Sequence, residues 1–172
     1  MLTSRAKLIR LMAFDVDGVM TDGGLYFSDS GEEFKRFNSL DGHGLKMLRA
    51  SGVEVAIITG RTSRCVEARA RNLGVTHVFQ GVEYKLEAMV ELLNRLKLQR
   101  DAAAYMGDDV VDLTVMRHVG LAISVPESPL LVHKYSHYVT QRSGGHGAVR
   151  EACELIMSAQ GTLDDQLAPY LE

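Results

Sequence analysis

Cysteine is scarce in this chain, and its placing excludes several chemistries. Cys65 and Cys153 stand far apart, outside any CxxC pair or metal-ligand spacing. A thiolate metal site or a redox motif is therefore not expected, and two free thiols in a reducing compartment are. Long apolar runs are missing as well. No stretch approaches the 18 or so residues of a membrane span, and Lys7 and Arg10 interrupt the N-terminal "MLTSRAKLIRLMAF" before it can form a signal-peptide core. A cytoplasmic protein with no membrane partner is expected. Excess positive charge is lacking too: 19 Lys and Arg against 22 Asp and Glu give a net charge of -3. That balance argues against a general nucleic-acid binder, which needs a basic face. Repeats, low-complexity tracts and linkers are absent from the 172 residues, so a single domain is expected over 1–172.

Short apolar runs alternating with helical patterns fill that length. Strands are expected at "LIRLMAF" (8–14), "VEVAIIT" (53–59), "THVF" (76–79), "AAAYM" (102–106), "GLAISV" (120–125) and "HYVT" (137–140). Helices are expected near 42–51, 62–73, 85–97, 110–118, 128–134 and 147–160. Strands separated by helices imply parallel βαβ units. The expected fold is thus α/β: a three-layer, Rossmann-like parallel sheet with helices on both faces. One segment departs from the pattern. "LYFSDSGEEFKRF" (25–37) alternates apolar and polar residues around "SDSG" and reads as a small β-hairpin. The stretch from about 162 to 172 reads as a loosely held tail.

The stretch "MAFDVDGVMTDGG" (12–24) ends an apolar run in Asp15 and Asp17, followed by Gly18 and then Asp22. Unpaired carboxylates buried beside a strand cost several kcal/mol each. A solvated loop or a turn-rich linker would explain them blandly, and single Asp residues after strands are most often caps or turn formers. In open α/β sheets, however, ligands bind outside the carboxyl ends of the strands. The second strand ends in Thr59-Gly60-Arg61, Lys85 opens a helix, and the fourth strand ends in "GDDVVD" (107–112). Asp, Thr, Lys and Asp from four separate loops would converge on one crevice.

In this order the four signatures resemble the motifs of the haloacid dehalogenase-like phosphohydrolases. The resemblance implies Asp15 as a nucleophile forming an aspartyl-phosphate, and Asp17 as general acid and base. It implies Mg²⁺ held by Asp15, the backbone carbonyl of Asp17, and Asp108. Thr59 would hydrogen-bond a phosphoryl oxygen, and Lys85 would pair with the phosphate and the nucleophile. Asp109 or Asp112 would orient Lys85 and the metal's waters. The intervals after the first motif and from Arg61 to Lys85 leave no room for a cap domain.

Beyond these motifs the chain is similar to the 3-deoxy-D-manno-octulosonate 8-phosphate (KDO 8-phosphate) phosphatase family. The similarity rests on "DVDGVMTDG", "GEEFKRFNSLDGHGLK" (31–46), "IITGRTS", "GVTHVFQG" (74–81), "YMGDDVVDL" and "GGHGAVRE" (144–151). It implies a phosphosugar substrate contacted by Asn38, Ser39, Leu40, Asp41 and Gly42, with Lys46, Gly60, Arg61, Arg69 and Lys85. The substrate's carboxylate gives the extra cations a purpose. It also implies a role in lipopolysaccharide biosynthesis and a homotetramer joined through the hairpins. Relatives acting on nine-carbon sugar acid 9-phosphates carry Glu where this chain has Arg61, which favours the eight-carbon substrate. His146 stands where the family commonly has Arg or Lys, so it would serve as a cation there only when protonated. A phospho-aspartate signalling module is the reading from another class; Asp17 argues against it, because an acid/base there speeds hydrolysis of the stored signal.

Overall fold

The computed structural model describes residues 1–171. Its frame is a six-stranded parallel sheet in the order β5-β4-β1-β6-β7-β8. The strands are β1 (Leu11–Phe14), β4 (Glu54–Ile58), β5 (His77–Phe79), β6 (Ala103–Met106), β7 (Leu121–Ser124) and β8 (Tyr138–Val139). β2 (Tyr26–Phe27) and β3 (Glu33–Phe34) form the separate antiparallel hairpin, pairing Tyr26 with Phe34 and Phe27 with Glu33.

Successive side chains of the central strands leave on opposite faces, as the pleat requires. Met12, Phe14, Val55, Ile57, Ala104 and Met106 join one core; Leu11, Ala13, Ala56, Ile58, Ala103 and Tyr105 join the other. The first core is covered by α1 (Leu2–Leu8), α2 (Ser39–Ala50), α3 (Arg64–Leu73) and α7 (Ala148–Gln160). The second is covered by α4 (Lys85–Leu96), α5 (Leu113–Met116) and α6 (Leu130–Tyr135). Both faces are buried, which is why these strands read as continuous apolar runs.

β1 sits at the centre. The chain first builds β4 and β5 on one side of it, then crosses back to lay β6, β7 and β8 on the other. That reversal opens a crevice at the carboxyl ends of β1 and its neighbours. Between β1 and α2 the chain holds the hairpin, and between β4 and α4 it holds α3 and β5. No cap domain is present among the described residues.

Three local expectations need correction. The strand expected over 8–14 begins only at Leu11, and residues 2–8 are helical. The sequence signal was there: Leu2, Ala6 and Ile9 recur at helical spacing, and Ala6 and Ile9 are fully buried. The helix expected near 42–51 begins three residues earlier, so Ser39–Gly42 forms the first turn of α2. Asn38 caps it, its Oδ1 accepting from the N–H groups of Leu40 (2.8 Å) and Asp41 (3.3 Å). The expected loose tail folds into α8 (Leu163–Leu167) and a 3-10 turn, with Leu163 and Leu167 packed on the first core. Glu172, the end of that expected tail, lies outside the described residues. No described helix is long and apolar enough to cross a membrane.

Candidate active site

The parallel ladder runs one bond beyond β1, where the Asp15 N–H donates to the Met106 carbonyl at 2.9 Å. Asp15 is therefore fixed at the rim of the sheet and buried. The loop then turns sharply at Gly18, whose φ is +90°. Glycine is required there twice over, since a Cβ would also collide with the Asp108 carboxylate lying against it. Thr21 closes the turn, its hydroxyl oxygen accepting from the N–H groups of Gly18 (3.3 Å) and Gly23 (3.2 Å).

Lys85 enters from the first turn of α4, with its side chain 5% exposed. Its ammonium lies 3.0 Å from Asp15 Oδ2 and 2.6 Å from Asp112 Oδ1. Asp112 is fully buried and every side of it is engaged. Oδ1 also accepts from the Tyr105 hydroxyl at 2.7 Å, while Oδ2 accepts from the N–H groups of Asp108 (3.0 Å) and Asp109 (3.1 Å). Of the two residues expected to orient Lys85, it is Asp112 that touches it. Asp109 is exposed and caps the following turn, accepting from the Val110 N–H at 2.7 Å.

The charges are unbalanced. Burial, then the neighbouring Asp112, push the Asp15 carboxyl up to about 6, against the pull of Lys85. Burial, then Asp112 and Asp15, push Asp108 up to about 7. One oxygen from each of Asp15, Asp108 and Asp112 falls within 4.8 Å of the others. Asp112 is committed to its four donors, so Asp15 and Asp108 remain to hold a cation. Crowded carboxylates with hard oxygen donors and a deficit of positive charge fit Mg²⁺.

Asp17 faces a second lysine. Lys35, just past β3, places its ammonium 2.5 Å from Asp17 Oδ1 and 3.1 Å from Glu33 Oε1, with its side chain 2% exposed. Burial draws the Lys35 ammonium down, but its bonds to Asp17 and Glu33 outweigh that and hold it above the usual value. Arg61, half exposed at the rim, has its Nε 3.7 Å from Asp17 Oδ2. Thr59, the residue after β4, is buried, and its N–H donates to the Phe79 carbonyl at 2.9 Å. Gly60 follows it on the surface beside Val82.

The remaining expected substrate residues lie elsewhere. Ser39, Gly42, Lys46 and Arg69 line a separate cleft of about 220 Å³, with His43 and Asn72. Arg69 donates to the Asn38 carbonyl at 3.0 Å and stacks over Phe37 at 5.7 Å. Leu40 is exposed. Asp41 is turned inward: its carboxylate accepts from the N–H groups of Arg150 (2.8 Å) and Gly147 (3.3 Å), capping α7 from a neighbouring helix. Its carboxylate is thus engaged with the backbone at the start of α7.

A crevice of about 390 Å³ opens beside Asp108, lined also by Gly18, Asp22, Glu127, Ser143 and His146. Sequence reasoning missed Glu127, although the strand-end rule applied to β7 points to it. It also missed Lys35 and Tyr105. The two-residue period of the hairpin sends Lys35 to the side opposite Phe34 and Arg36, and that was a readable signal. Tyr105 gave none, because a tyrosine in an apolar strand reads as core.

Comparison with known proteins agrees with this fold. The model of the haloacid dehalogenase-like hydrolases matches residues 32–120. A 3-deoxy-D-manno-octulosonate 8-phosphate phosphatase, KdsC, from Yersinia pestis is 51% identical over 161 residues, covering 93% of this chain and 86% of its own. A probable YrbI family phosphatase from Pseudomonas syringae pv. phaseolica superposes with a TM-score of 0.98 at 52% identity, over 99% of this chain and 97% of its own. The Moraxella catarrhalis KDO 8-phosphate phosphatase, solved with magnesium, phosphate and KDO, has a TM-score of 0.96 at 44% identity, over 98% and 97% of the two chains. By motif order, fold and overall identity, this chain belongs to the haloacid dehalogenase-like hydrolases, within the KDO 8-phosphate phosphatase family.

Proposed function

We propose that this protein is a Mg²⁺-dependent phosphatase that hydrolyses KDO 8-phosphate to KDO and inorganic phosphate, a step of lipopolysaccharide biosynthesis. The observation that carries the reading is Lys85 clamped between Asp15 and the fully engaged Asp112, with Asp108 alongside. That arrangement aims a carboxylate at the crevice and supplies charge for a phosphate dianion.

Asp15 Oδ2 is held by Lys85, so Oδ1 is the attacking oxygen. As its bond to phosphorus forms, the bridging P–O bond breaks, and Asp17 gives a proton to the departing sugar oxygen. Asp17 then takes a proton from the water that attacks the aspartyl-phosphate, and both carboxylates return to their starting state. Lys85 offsets phosphoryl charge throughout, and Thr59 at the end of β4 donates to a phosphoryl oxygen. Magnesium, held by Asp15, Asp108 and the Asp17 carbonyl, supplies neutralisation of the phosphate and positions it.

Phosphate release from KDO 8-phosphate, a nine-carbon sugar acid 9-phosphate and p-nitrophenyl phosphate, each with magnesium and with excess EDTA, tests the reading. Preferred turnover of the eight-carbon substrate, lost in EDTA, is expected. Full activity in EDTA, or preference for the nine-carbon ester, would refute it. Arg61 at the crevice rim is assigned to the substrate's carboxylate end. Arg61→Ala should then harm KDO 8-phosphate hydrolysis far more than p-nitrophenyl phosphate hydrolysis.

Assembly belongs to the same proposal. Leu25, Tyr26, Phe27 and Phe34 of the hairpin are 51%, 46%, 56% and 55% exposed, whereas Phe37, expected among them, packs on the core. A two-stranded ribbon cannot bury such a surface alone. A homotetramer joined through the hairpins would cover it and would close the crevice against water. Light scattering should therefore show four times the 18.9 kDa chain; a fully active monomer would refute the assembly. Two free thiols, Cys153 buried and pushed to a high pKa, suit the cytoplasm.

A further inference from the structure

We propose that Lys35 is the residue that positions Asp17, holding one carboxyl oxygen so that the other faces the departing sugar oxygen. The inference rests on the acid role given to Asp17 above. Lys35 touches neither Asp15 nor Asp108; all its charge contacts run to Asp17 and Glu33. Lysine is almost never buried without a partner, and here it has two, arranged asymmetrically around Asp17. Oδ1 receives the ammonium at 2.5 Å, while Arg61 Nε stands 3.7 Å from Oδ2, beyond hydrogen-bonding distance. Asp17 follows β1 on a loop with its side chain 19% exposed, and the bond from Lys35 to Oδ1 sets which oxygen is left for the substrate. Glu33, 3.1 Å from the same ammonium, holds the lysine in turn, and the hairpin's strand geometry holds Glu33.

The chemistry explains why such a device is needed. A sugar alkoxide is a poor leaving group, so the proton must arrive as the P–O bond breaks, and a misplacement of about 1 Å can cost roughly 10²-fold. In that step the Oδ2–H bond breaks and the proton bonds to the bridging oxygen. The electron pair of the P–O bond stays with that oxygen, and the Asp15–phosphorus bond forms. Lys35 keeps all its protons. A direct role at the substrate's carboxylate is disfavoured, because the ammonium is spent on two carboxylates and the side chain is 2% exposed, leaving no face for a third anion.

The test uses the dependence of rate on leaving group, which a purely structural lysine would not alter. kcat/KM covers the steps up to release of the alcohol, so it reads the acid and not the later water attack. It would be measured for the wild type, Lys35→Met, Lys35→Arg, Asp17→Asn and the Lys35→Met/Asp17→Asn double variant, on simple alkyl and aryl phosphates without a carboxylate. Lys35→Met should lose roughly 10²-fold on an alkyl phosphate and less than about threefold on p-nitrophenyl phosphate, whose leaving group needs little protonation. Lys35→Arg should recover part of the loss. The double variant should be little worse than Asp17→Asn, since the two residues act as one unit. Circular dichroism would confirm that each variant is folded. Equal losses on alkyl and aryl esters would overturn the proposal, as would a fully multiplicative double variant. A loss confined to KDO 8-phosphate would also overturn it, by making Lys35 a substrate ligand. If Asp17→Asn itself leaves the leaving-group dependence unchanged, the acid role fails and the Lys35 proposal falls with it.

Discussion

Two buried lysines in this molecule each lie between two carboxylates, yet they sit in opposite surroundings. Lys85 lies within the sheet-and-helix core, and its partner Asp112 is fully buried and braced by Tyr105 and two backbone N–H groups. Lys35 stands on a two-stranded ribbon whose outer face is exposed, and its partners Asp17 and Glu33 are 19% and 17% exposed. The difference matches what each is asked to do. In the proposed mechanism Lys85 holds the nucleophile, and its buried setting keeps the two side chains in register. In the same proposal Asp17 exchanges protons with the departing sugar oxygen and then with water, which suits a carboxylate left 19% exposed. The same ion-pair chemistry is thus enclosed by the core at Lys85 and carried on the hairpin, beside partly exposed carboxylates, at Lys35.

Four experiments would break or sharpen that contrast, in order of decreasing effect. Asp15→Asn should reduce steady-state phosphate release to background in a protein with native circular dichroism, because an amide is neither nucleophile nor anionic ligand. Asp17→Asn, on the open side, should lose roughly 10²–10⁴-fold. Near-native turnover in the first variant would end the mechanism.

The lysines themselves come next. Lys85→Met leaves Asp112 and Asp15 buried without their cation, and urea denaturation should show a loss of about 3–5 kcal/mol. Lys35→Met leaves Asp17 and Glu33 partly exposed and with Arg61 still near both, so a smaller loss of about 1–2 kcal/mol is expected. Equal destabilisation would erase the contrast between the two sites.

Tyr105→Phe removes a hydroxyl donor from the buried Asp112 carboxyl, and a loss of about 1–3 kcal/mol is expected by the same denaturation measurement. No measurable change would mean that Lys85 and the two N–H groups suffice for Asp112.

The smallest effect concerns pH. In the metal-free protein the Asp15 and Asp108 carboxyls sit at about 6 and about 7, above the ordinary 3.8. The folded state then binds more protons than the unfolded one, so these groups make the chelated protein less stable as pH rises from about 4 toward about 7. Magnesium requires the carboxylates and competes with those protons. Its stabilisation, read as a shift in Tm, should therefore grow over the same interval as pH rises and shrink as pH falls. A Mg²⁺-induced shift independent of pH would place the metal elsewhere.

Much of this was decided locally. The alternation of buried strands with amphipathic helices dictated the layered α/β fold, because each periodicity is set by a few neighbouring residues. That Asp15, Thr59 and Asp108 lie just past strand ends and that Lys85 opens a helix was legible, because strand ends are marked by the local pattern of apolar runs. The hairpin was legible from its two-residue period and its turn at "SDSG". Other features were decided only when distant segments met. The inward turn of Asp41 onto the start of α7, the choice of Asp112 over Asp109 at Lys85, and the burial of Lys35 against Asp17 all join residues well separated along the chain. A sequence pattern records which side chains can be buried or charged, since that depends on local spacing. It does not record which charge a buried charge will meet, because the partner is supplied by tertiary packing and by the low dielectric that packing creates.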